Sequence, residues 1–287
     1  MPQSPAPSPP SRWLVSTAWL AEHLRGRDVI PVDGSYFLPT QQRDAHAEFR
    51  DGHIPGAVFF DIEAISDHST VLPHMLPGPA QFGAAVGALG IGGGDTVVAY
   101  DSVGLYSAAR VWWTFRIFGA EKVFILDGGL PKWKNEGRPL EKGDGERKPK
   151  TFHAEMNVRA VAMLADVRMA LADDSAQIVD ARSAERFSGK APEPRPGLRS
   201  GHMPGSFNVP FGNLLENGRL VSRERIEAAF KAGGVDLDTP IITSCGSGVT
   251  AAILTLALDA IGREPKGLYD GSWAEWGSRP DLPVARG

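Results

Sequence analysis

A seven-residue block, Asp51-Gly52-His53-Ile54-Pro55-Gly56-Ala57, returns in the second half of the chain as Ser200-Gly201-His202-Met203-Pro204-Gly205-Ser206. It does not return alone. Upstream, Val32-Asp33-Gly34-Ser35 matches Val179-Asp180-Ala181-Arg182. Downstream, Asp127-Gly128-Gly129-Leu130 with Trp133 matches Asp270-Gly271-Ser272-Trp273 with Trp276. The separations are 149, 147 and 143 residues. Ordered blocks at a nearly constant offset mark a duplicated domain, because solenoid repeats recur every ~20–50 residues. The length of 287 residues agrees, since a single hydrophobic core stops growing at about 250–300 residues.

Each half carries the same succession of elements. A helix (17–24; 162–171) leads to a short apolar strand (29–32; 177–179), and a Gly-His-x-Pro-Gly turn feeds another strand (57–60; 206–209). A helix (80–89; 223–232) and an apolar strand (96–99; 241–243) follow, then a helix (107–118; 249–261) and a last strand (122–126; 267–269). Strands alternating with helices at this spacing predict an α/β fold, each half a mainly parallel sheet flanked by helices. Ligands of such sheets sit beyond the carboxyl ends of the strands. Residues 141–150 hold seven charged side chains and no apolar one, which suits a connector. The expected organisation is a disordered Pro-rich leader (1–12), a first domain (13–140), a linker (141–160) and a second domain (161–287).

Composition removes several classes of function. Lys and Arg number 30 against 34 Asp and Glu, a net charge of −4. That balance gives no reason to expect nucleic acid or an anionic membrane as partner. No apolar stretch is long enough to span a bilayer, and the N-terminus has five prolines in its first ten residues in place of the apolar segment of a signal peptide. The single cysteine, Cys245, forbids an internal disulfide, a paired-cysteine redox motif and a Cys-rich zinc site. A reducing cytoplasm is the expected setting. The seven histidines show no metal-ligand spacing, and no dinucleotide or Walker fingerprint is present. Neither a metal nor an organic cofactor is expected.

Cys245 ends the apolar run Ile241-Ile242-Thr243-Ser244 and opens Cys245-Gly246-Ser247-Gly248-Val249-Thr250, which enters a long apolar helical stretch. Two glycines let the backbone curl so that successive N–H groups face inward as an anion nest. The helix adds the positive end of its dipole. Such surroundings lower a thiol pKa from about 8.5 toward neutrality or below and turn the cysteine into a nucleophile. The first half has Asp101 at the corresponding place, a residue the nest could hold ionised but without thiol chemistry. One half therefore reads as catalytic and the other as a degenerate copy. A Cys-x5-Arg phosphatase is excluded, because Ala251 stands where the phosphate-binding arginine would be.

The duplication, the two turns, the six-residue Cys245 loop and Asp101 resemble the two-domain sulfurtransferases of the rhodanese superfamily. The likeness runs from about Trp13 to Pro283. It implies two tandem rhodanese-like domains and a persulfide on Cys245. Within the superfamily the loop is similar to the version that takes sulfur from 3-mercaptopyruvate. Neutral Gly246 and Ser247 stand where thiosulfate-using members carry basic residues.

The stretch from Arg182 to Arg199 is arginine-rich, and a guanidinium fork matches the planar carboxylate of a keto acid. The resemblance assigns substrate binding to Arg186 and Arg195, with Gly246, Gly248, Val249 and Thr250 forming the nest. Arg182 and Arg199 fit solvated surface ion pairs better. From residues alone, His74 is an ordinary loop histidine. The resemblance makes it a relay to Ser247, with Glu63 as its acidic partner, and places the site between the halves. His53 and His202, present in both copies, read as turn braces. Trp112, Trp113, Trp273 and Trp276 read as packing.

The implied reaction takes sulfur from a small keto-acid thiol and passes it to a thiol acceptor, such as a thioredoxin-like protein or a small thiol, or to cyanide. The alternatives are a thiosulfate:cyanide sulfurtransferase and a sulfur-relay module with little turnover of its own.

Overall fold

The computed structural model describes residues 11–26 and 28–287. Two five-stranded sheets form, one from each half, and every pairing within them is parallel. The first holds β1 (Leu14–Val15), β2 (Val29–Asp33), β3 (Val58–Phe59), β4 (Thr96–Tyr100) and β5 (Val123–Leu126) in the order β1-β5-β4-β2-β3. The second holds β6 (Val161–Ala162), β7 (Gln177–Asp180), β8 (Phe207–Asn208), β11 (Ile241–Ser244) and β12 (Gly267–Tyr269) in the order β6-β12-β11-β7-β8. Between β8 and β11 in sequence, β9 (Leu215–Glu216) and β10 (Arg219–Leu220) make a small antiparallel hairpin.

The central strands read as uninterrupted apolar runs because helices cover both faces of a parallel sheet. All five residues of β2 are buried. Pro31 lies within that central strand without breaking it. Bonds to β4 use Asp28 O and Gly34 N, whereas Asp33 O accepts from Phe60 N on the β3 side. That alternation turns the Pro31 nitrogen toward β3, which starts only at Val58, so no ladder bond is lost there.

The helices are α1 (Thr17–His23), α2 (Ala45–Asp51), α3 (Pro79–Ala88), α4 (Ala108–Ile117) and α5 (Gly129–Asn135) in the first half. In the second they are α6 (Leu164–Asp173), α7 (Ala184–Phe187), α8 (Arg223–Ala232), α9 (Ala251–Ala260) and α10 (Ser272–Trp276). Equivalent helices α4 and α9 meet between the halves. All of α4 except Arg116 and all of α9 except Asp259 is buried, as expected of helices apolar all round. Their side chains belong to one hydrophobic cluster containing residues of both sheets. The two domains therefore share a continuous core, and a cleft between them is a fixed feature.

Some boundaries differ from the sequence reading. The stretch 162–171 splits into β6 and α6. The last long helix starts at Ala251, because Val249 and Thr250 are spent in the turn that closes the cysteine loop. Two-residue edge strands and the 215–220 hairpin were not anticipated. Of the expected leader, residues 1–10 lie outside the described residues; Ser11 is buried and Arg12 pairs with Asp259. Residues 141–150 are largely exposed. Beyond them Phe152 is buried against Phe82 and Phe115, and Asn157 N donates to Ile117 O. The segment thus straps onto the first domain. Among the described residues no helix is long and apolar enough to cross a membrane.

Candidate active site

Strand β11 is central in the second sheet, and Cys245 lies just past its carboxyl end. The loop is pinned from outside. Cys245 N donates to Ser272 Oγ at 3.3 Å, Trp273 N donates to Cys245 O at 2.9 Å, and Ala274 N donates to Gly246 O at 2.8 Å. Ser272 itself has φ +48° and donates to Tyr269 O. A non-glycine residue in the left-handed region is uncommon; here it lets the start of α10 face the loop.

The N–H groups of Gly246, Ser247, Gly248, Val249 and Thr250 donate to no protein acceptor among the described residues. The equivalent loop of the first domain explains what such a loop is built to hold. There the Asp101 carboxylate accepts from Val103 N and Gly104 N at 2.9 and 2.8 Å, and from Tyr106 N and Ala108 N at 2.7 and 2.9 Å. The degenerate copy fills its nest with its own anion. In the second domain the first residue of the loop is a thiol whose negative form would meet the same kind of donors.

A cleft of about 360 Å³ opens over Cys245. Cys245, Gly246, Ser247, Val249 and Thr250 line it from the loop, with Arg186 and Arg195 beside them. The opposite wall comes from the first domain: Tyr36, Phe37, Leu38, Gln41, Val103 and Tyr106. Cys245 is 2% exposed, so attack on it proceeds through the cleft.

Arg186, on the short helix α7, is held by Glu193 through Nη2 at 2.6 Å and Nε at 3.3 Å. Its guanidinium lies against Gly246, where an added Cβ would stand 2.8 Å from Nη2. Arg195 reaches across to the first domain, its Nη2 donating to Tyr36 OH at 3.1 Å and to His74 Nε2 at 2.8 Å. Two cations thus flank the cysteine loop, each with part of its fork committed to a protein partner.

His74 is buried, with φ +61°. A guanidinium can only donate, so His74 Nε2 is bare and the ring carries its proton on Nδ1. Nδ1 has no partner. Burial, and then the positive charges of Arg195 and Arg110, lower the imidazole pKa to about 3, because each disfavours a second cation. Glu63 Oε1 lies 3.7 Å from Nε2, the nitrogen Arg195 already occupies, and its side chain is 62% exposed. No hydrogen bond joins Ser247 to His74, or Glu63 to His74, among the described residues. The expected Ser247–His74–Glu63 series is not linked by hydrogen bonds: Glu63 lies near His74, whose firm contact is with Arg195.

Neither Arg182 nor Arg199 makes a solvated surface ion pair: Arg182 is buried and the half-buried Arg199 bonds carbonyls. Arg182 is 1% exposed and sits between Asp180 and Glu193 at 2.7 and 2.8 Å. Arg199 donates to the carbonyls of Trp276, Gly277, Arg279 and Leu282 and so fastens the C-terminal segment. The partners of Arg199 are 77 to 83 residues away in sequence, and the nearby Asp180 does not itself mark Arg182 as buried, so only the fold reveals these contacts. His53 and His202 are turn braces: each Nδ1 donates to a carbonyl, of Phe49 and Phe187, and each ring stacks on that phenylalanine at 4.0 and 3.9 Å. The four named tryptophans are buried.

Sequence reasoning missed Tyr36 and Tyr106. The Tyr106 hydroxyl is pushed up to about 12 by burial, and then by the neighbouring Cys245 and Tyr36, against the pull of Arg186. The degenerate loop that bears Tyr106 is therefore also a wall of the site. Among the described residues no group of three or more His, Cys, Asp or Glu could hold a metal ion.

Comparison with known proteins agrees with this geometry. The rhodanese-like domain family matches residues 16–136 and 163–279. The chain is 48% identical over 273 residues to the 3-mercaptopyruvate sulfurtransferase of Escherichia coli strain K12, covering 95% of this chain and 97% of that protein. It is 42% identical over 286 residues to thiosulfate sulfurtransferase of Rattus norvegicus, covering 96% of each. The crystal structure of SseA from Escherichia coli, described as a 3-mercaptopyruvate sulfotransferase, superposes with a TM-score of 0.85 at 45% identity, over 91% of this chain and 98% of that one. With both halves matched and the duplicated sheets in register, the chain belongs to the rhodanese family, as a member with two rhodanese-like domains in tandem.

Proposed function

We propose that the protein is a 3-mercaptopyruvate sulfurtransferase working through a persulfide on Cys245. The carrying observation is the pairing of an open N–H nest around Cys245 with two arginines in the same cleft. The Cys245 thiolate attacks the sulfur of 3-mercaptopyruvate. The new S–S bond forms as the C–S bond breaks, and the bonding pair leaves on carbon as the pyruvate enolate. Arg186 and Arg195 take the carboxylate and carbonyl of the keto acid. The N–H groups of Gly246, Ser247, Gly248, Val249 and Thr250 stabilise negative charge on sulfur.

The enolate then takes one proton to give pyruvate. Ser247, whose side chain lines the cleft, is the residue of the loop suited to deliver it. In the structure His74 Nε2 orients Arg195, so a relay from Glu63 through His74 to Ser247 requires Arg195 to release that nitrogen when substrate binds. The outer sulfur passes to a second thiol, small or on a thioredoxin-like protein, or to cyanide. Either transfer restores the Cys245 thiol, and the persulfide itself is the carrier. A reducing cytoplasm suits a catalyst whose only thiol must remain free.

Neutral Gly246 and Ser247 beside the cysteine favour a donor with a single carboxylate over the dianion thiosulfate. The test is steady-state pyruvate release with 3-mercaptopyruvate and thiol, against thiocyanate formation from thiosulfate and cyanide. The reading requires a higher kcat/KM for 3-mercaptopyruvate and no activity in Cys245→Ser. A higher kcat/KM for thiosulfate overturns it.

A further inference from the structure

The Asp-Gly repeat of the two halves supplies a reciprocal clasp between the domains. Asp127 of the first domain is bound by Arg219 of the second, at 2.8 Å through Nε and 2.6 Å through Nη2. Asp270 of the second is bound by Arg110 of the first at 2.7 Å. The two clasps differ in what else they touch. Arg219 is 42% exposed at its side chain, whereas Arg110 and Asp270 are 3% and 2% exposed. Arg110 Nη2 also donates to His74 O at 2.5 Å, and Nη1 donates to Gly248 O at 3.3 Å. Asp270 Oδ2 in turn accepts from Leu76 N at 2.8 Å. One buried ion pair therefore joins the loop that carries His74 to the loop that carries Cys245.

We propose that Arg110, a residue of the non-catalytic domain, is a positioning residue for the cysteine site: it fixes the orientation of the Gly248–Val249 peptide and ties it to the His74 segment. This rests on the reading of Cys245 as the sulfur carrier. The argument is one of peptide geometry. A trans peptide is planar and its C=O and N–H point to opposite sides. A carbonyl held by Arg110 therefore keeps the Val249 N–H turned away from Arg110, where no protein acceptor takes it. Gly248 is required for the approach: it has φ +76°, and a Cβ there would stand 2.8 Å from Arg110 Nη1 and 3.2 Å from Asp270 O. Among the described residues nothing else holds the Gly248 carbonyl, and without the guanidinium a peptide free to rotate no longer presents a fixed donor to sulfur.

The experiment compares Arg110→Met, the charge-free pair Arg110→Met with Asp270→Leu, Arg110→Lys, and Arg219→Met at the mirror clasp. The double variant removes both buried charges together, which folded proteins tolerate better than an orphaned one. Arg110→Lys keeps the charge against Asp270 but gives up the fork, so it tests the role in a folded background. Three readouts are taken: thermal unfolding, kcat and KM with 3-mercaptopyruvate, and the rate at which iodoacetamide alkylates Cys245 at one fixed pH. All three Arg110 variants are expected to lose kcat with little change in KM, by up to about 10²-fold in Arg110→Met, and to alkylate more slowly. Arg219→Met should lower the unfolding temperature and leave both rates at the parent value. Parent values of kcat and alkylation in the Arg110 variants overturn the proposal, as do equal losses in Arg219→Met. If the parent protein makes no pyruvate from 3-mercaptopyruvate, the functional reading fails, and the alkylation rates still decide the role of Arg110.

Discussion

Arg195 donates to Nε2 of His74 at 2.8 Å, across the boundary between the two domains. The contact orients the guanidinium in the cleft, and burial, with the charges of Arg195 and Arg110, keeps the imidazole neutral. It also has a consequence for stability. His74 titrates near 3 in the fold, below its ordinary 6.5, so between those values the unfolded chain binds the extra proton and stability rises with pH. This contribution is complete above about pH 6.5 and is lost as pH falls toward 3, at up to ~1.4 kcal/mol per unit. Asp33, raised to about 6 by burial, acts in the opposite sense between about 4 and 6, so the effect must be read as a difference. His74→Asn tolerates the left-handed backbone and does not titrate. Urea unfolding of parent and variant from pH 7 to 4 should give free energies that converge as pH falls; parallel curves would contradict the assignment.

Arg186 is expected to act on binding. Arg186→Met should raise KM for 3-mercaptopyruvate roughly 10- to 100-fold, the value of a charge-assisted hydrogen bond. The rate at which preformed persulfide is discharged to cyanide should not change. Stopped-flow loading and discharge, followed separately, check this.

Gly246→Ala addresses the same arginine from the other side. The backbone at Gly246 is not in the left-handed region, so alanine is conformationally acceptable. Its methyl would lie 2.8 Å from Arg186 Nη2 and push the guanidinium out of place. The expected outcome is a KM defect of the same kind with an unchanged unfolding temperature. A lowered unfolding temperature with normal KM would show that the methyl displaces backbone instead.

Asp101→Asn should affect stability far more than chemistry. The carboxylate accepts four backbone N–H groups while fully buried. The amide cannot accept on its nitrogen, which costs about 2–4 kcal/mol and lowers the unfolding temperature by roughly 5–10 °C. Differential scanning calorimetry with kcat measured at 25 °C separates the two effects.

What could be read from the chain follows from what each interaction depends on. The buried strands and the cysteine loop were legible because apolar runs, glycines and the helix start are local in sequence. The edge strands Leu14–Val15 and Val161–Ala162 were not, since two residues are too few to show a pattern. The burial of Arg182 is not legible because one of its two carboxylates, Glu193, belongs to a loop with no regular pattern and the other, Asp180, is equally compatible with an exposed pair. Tyr36 and Tyr106 enter the cleft from the other domain, and no spacing encodes that crossing. Arg110 did leave a trace: a charged residue inside the apolar helix Ala108–Ile117 must be paired if it is buried, and it is.

The central claim is a persulfide on Cys245, and intact-protein mass spectrometry tests it most directly. The protein is exposed briefly to 3-mercaptopyruvate or to thiosulfate, with Cys245→Ser alongside. The account predicts the gain of one sulfur atom per chain, faster with 3-mercaptopyruvate, absent in the variant and reversed by a thiol. An unchanged mass after both donors, or the same gain in Cys245→Ser, would contradict it.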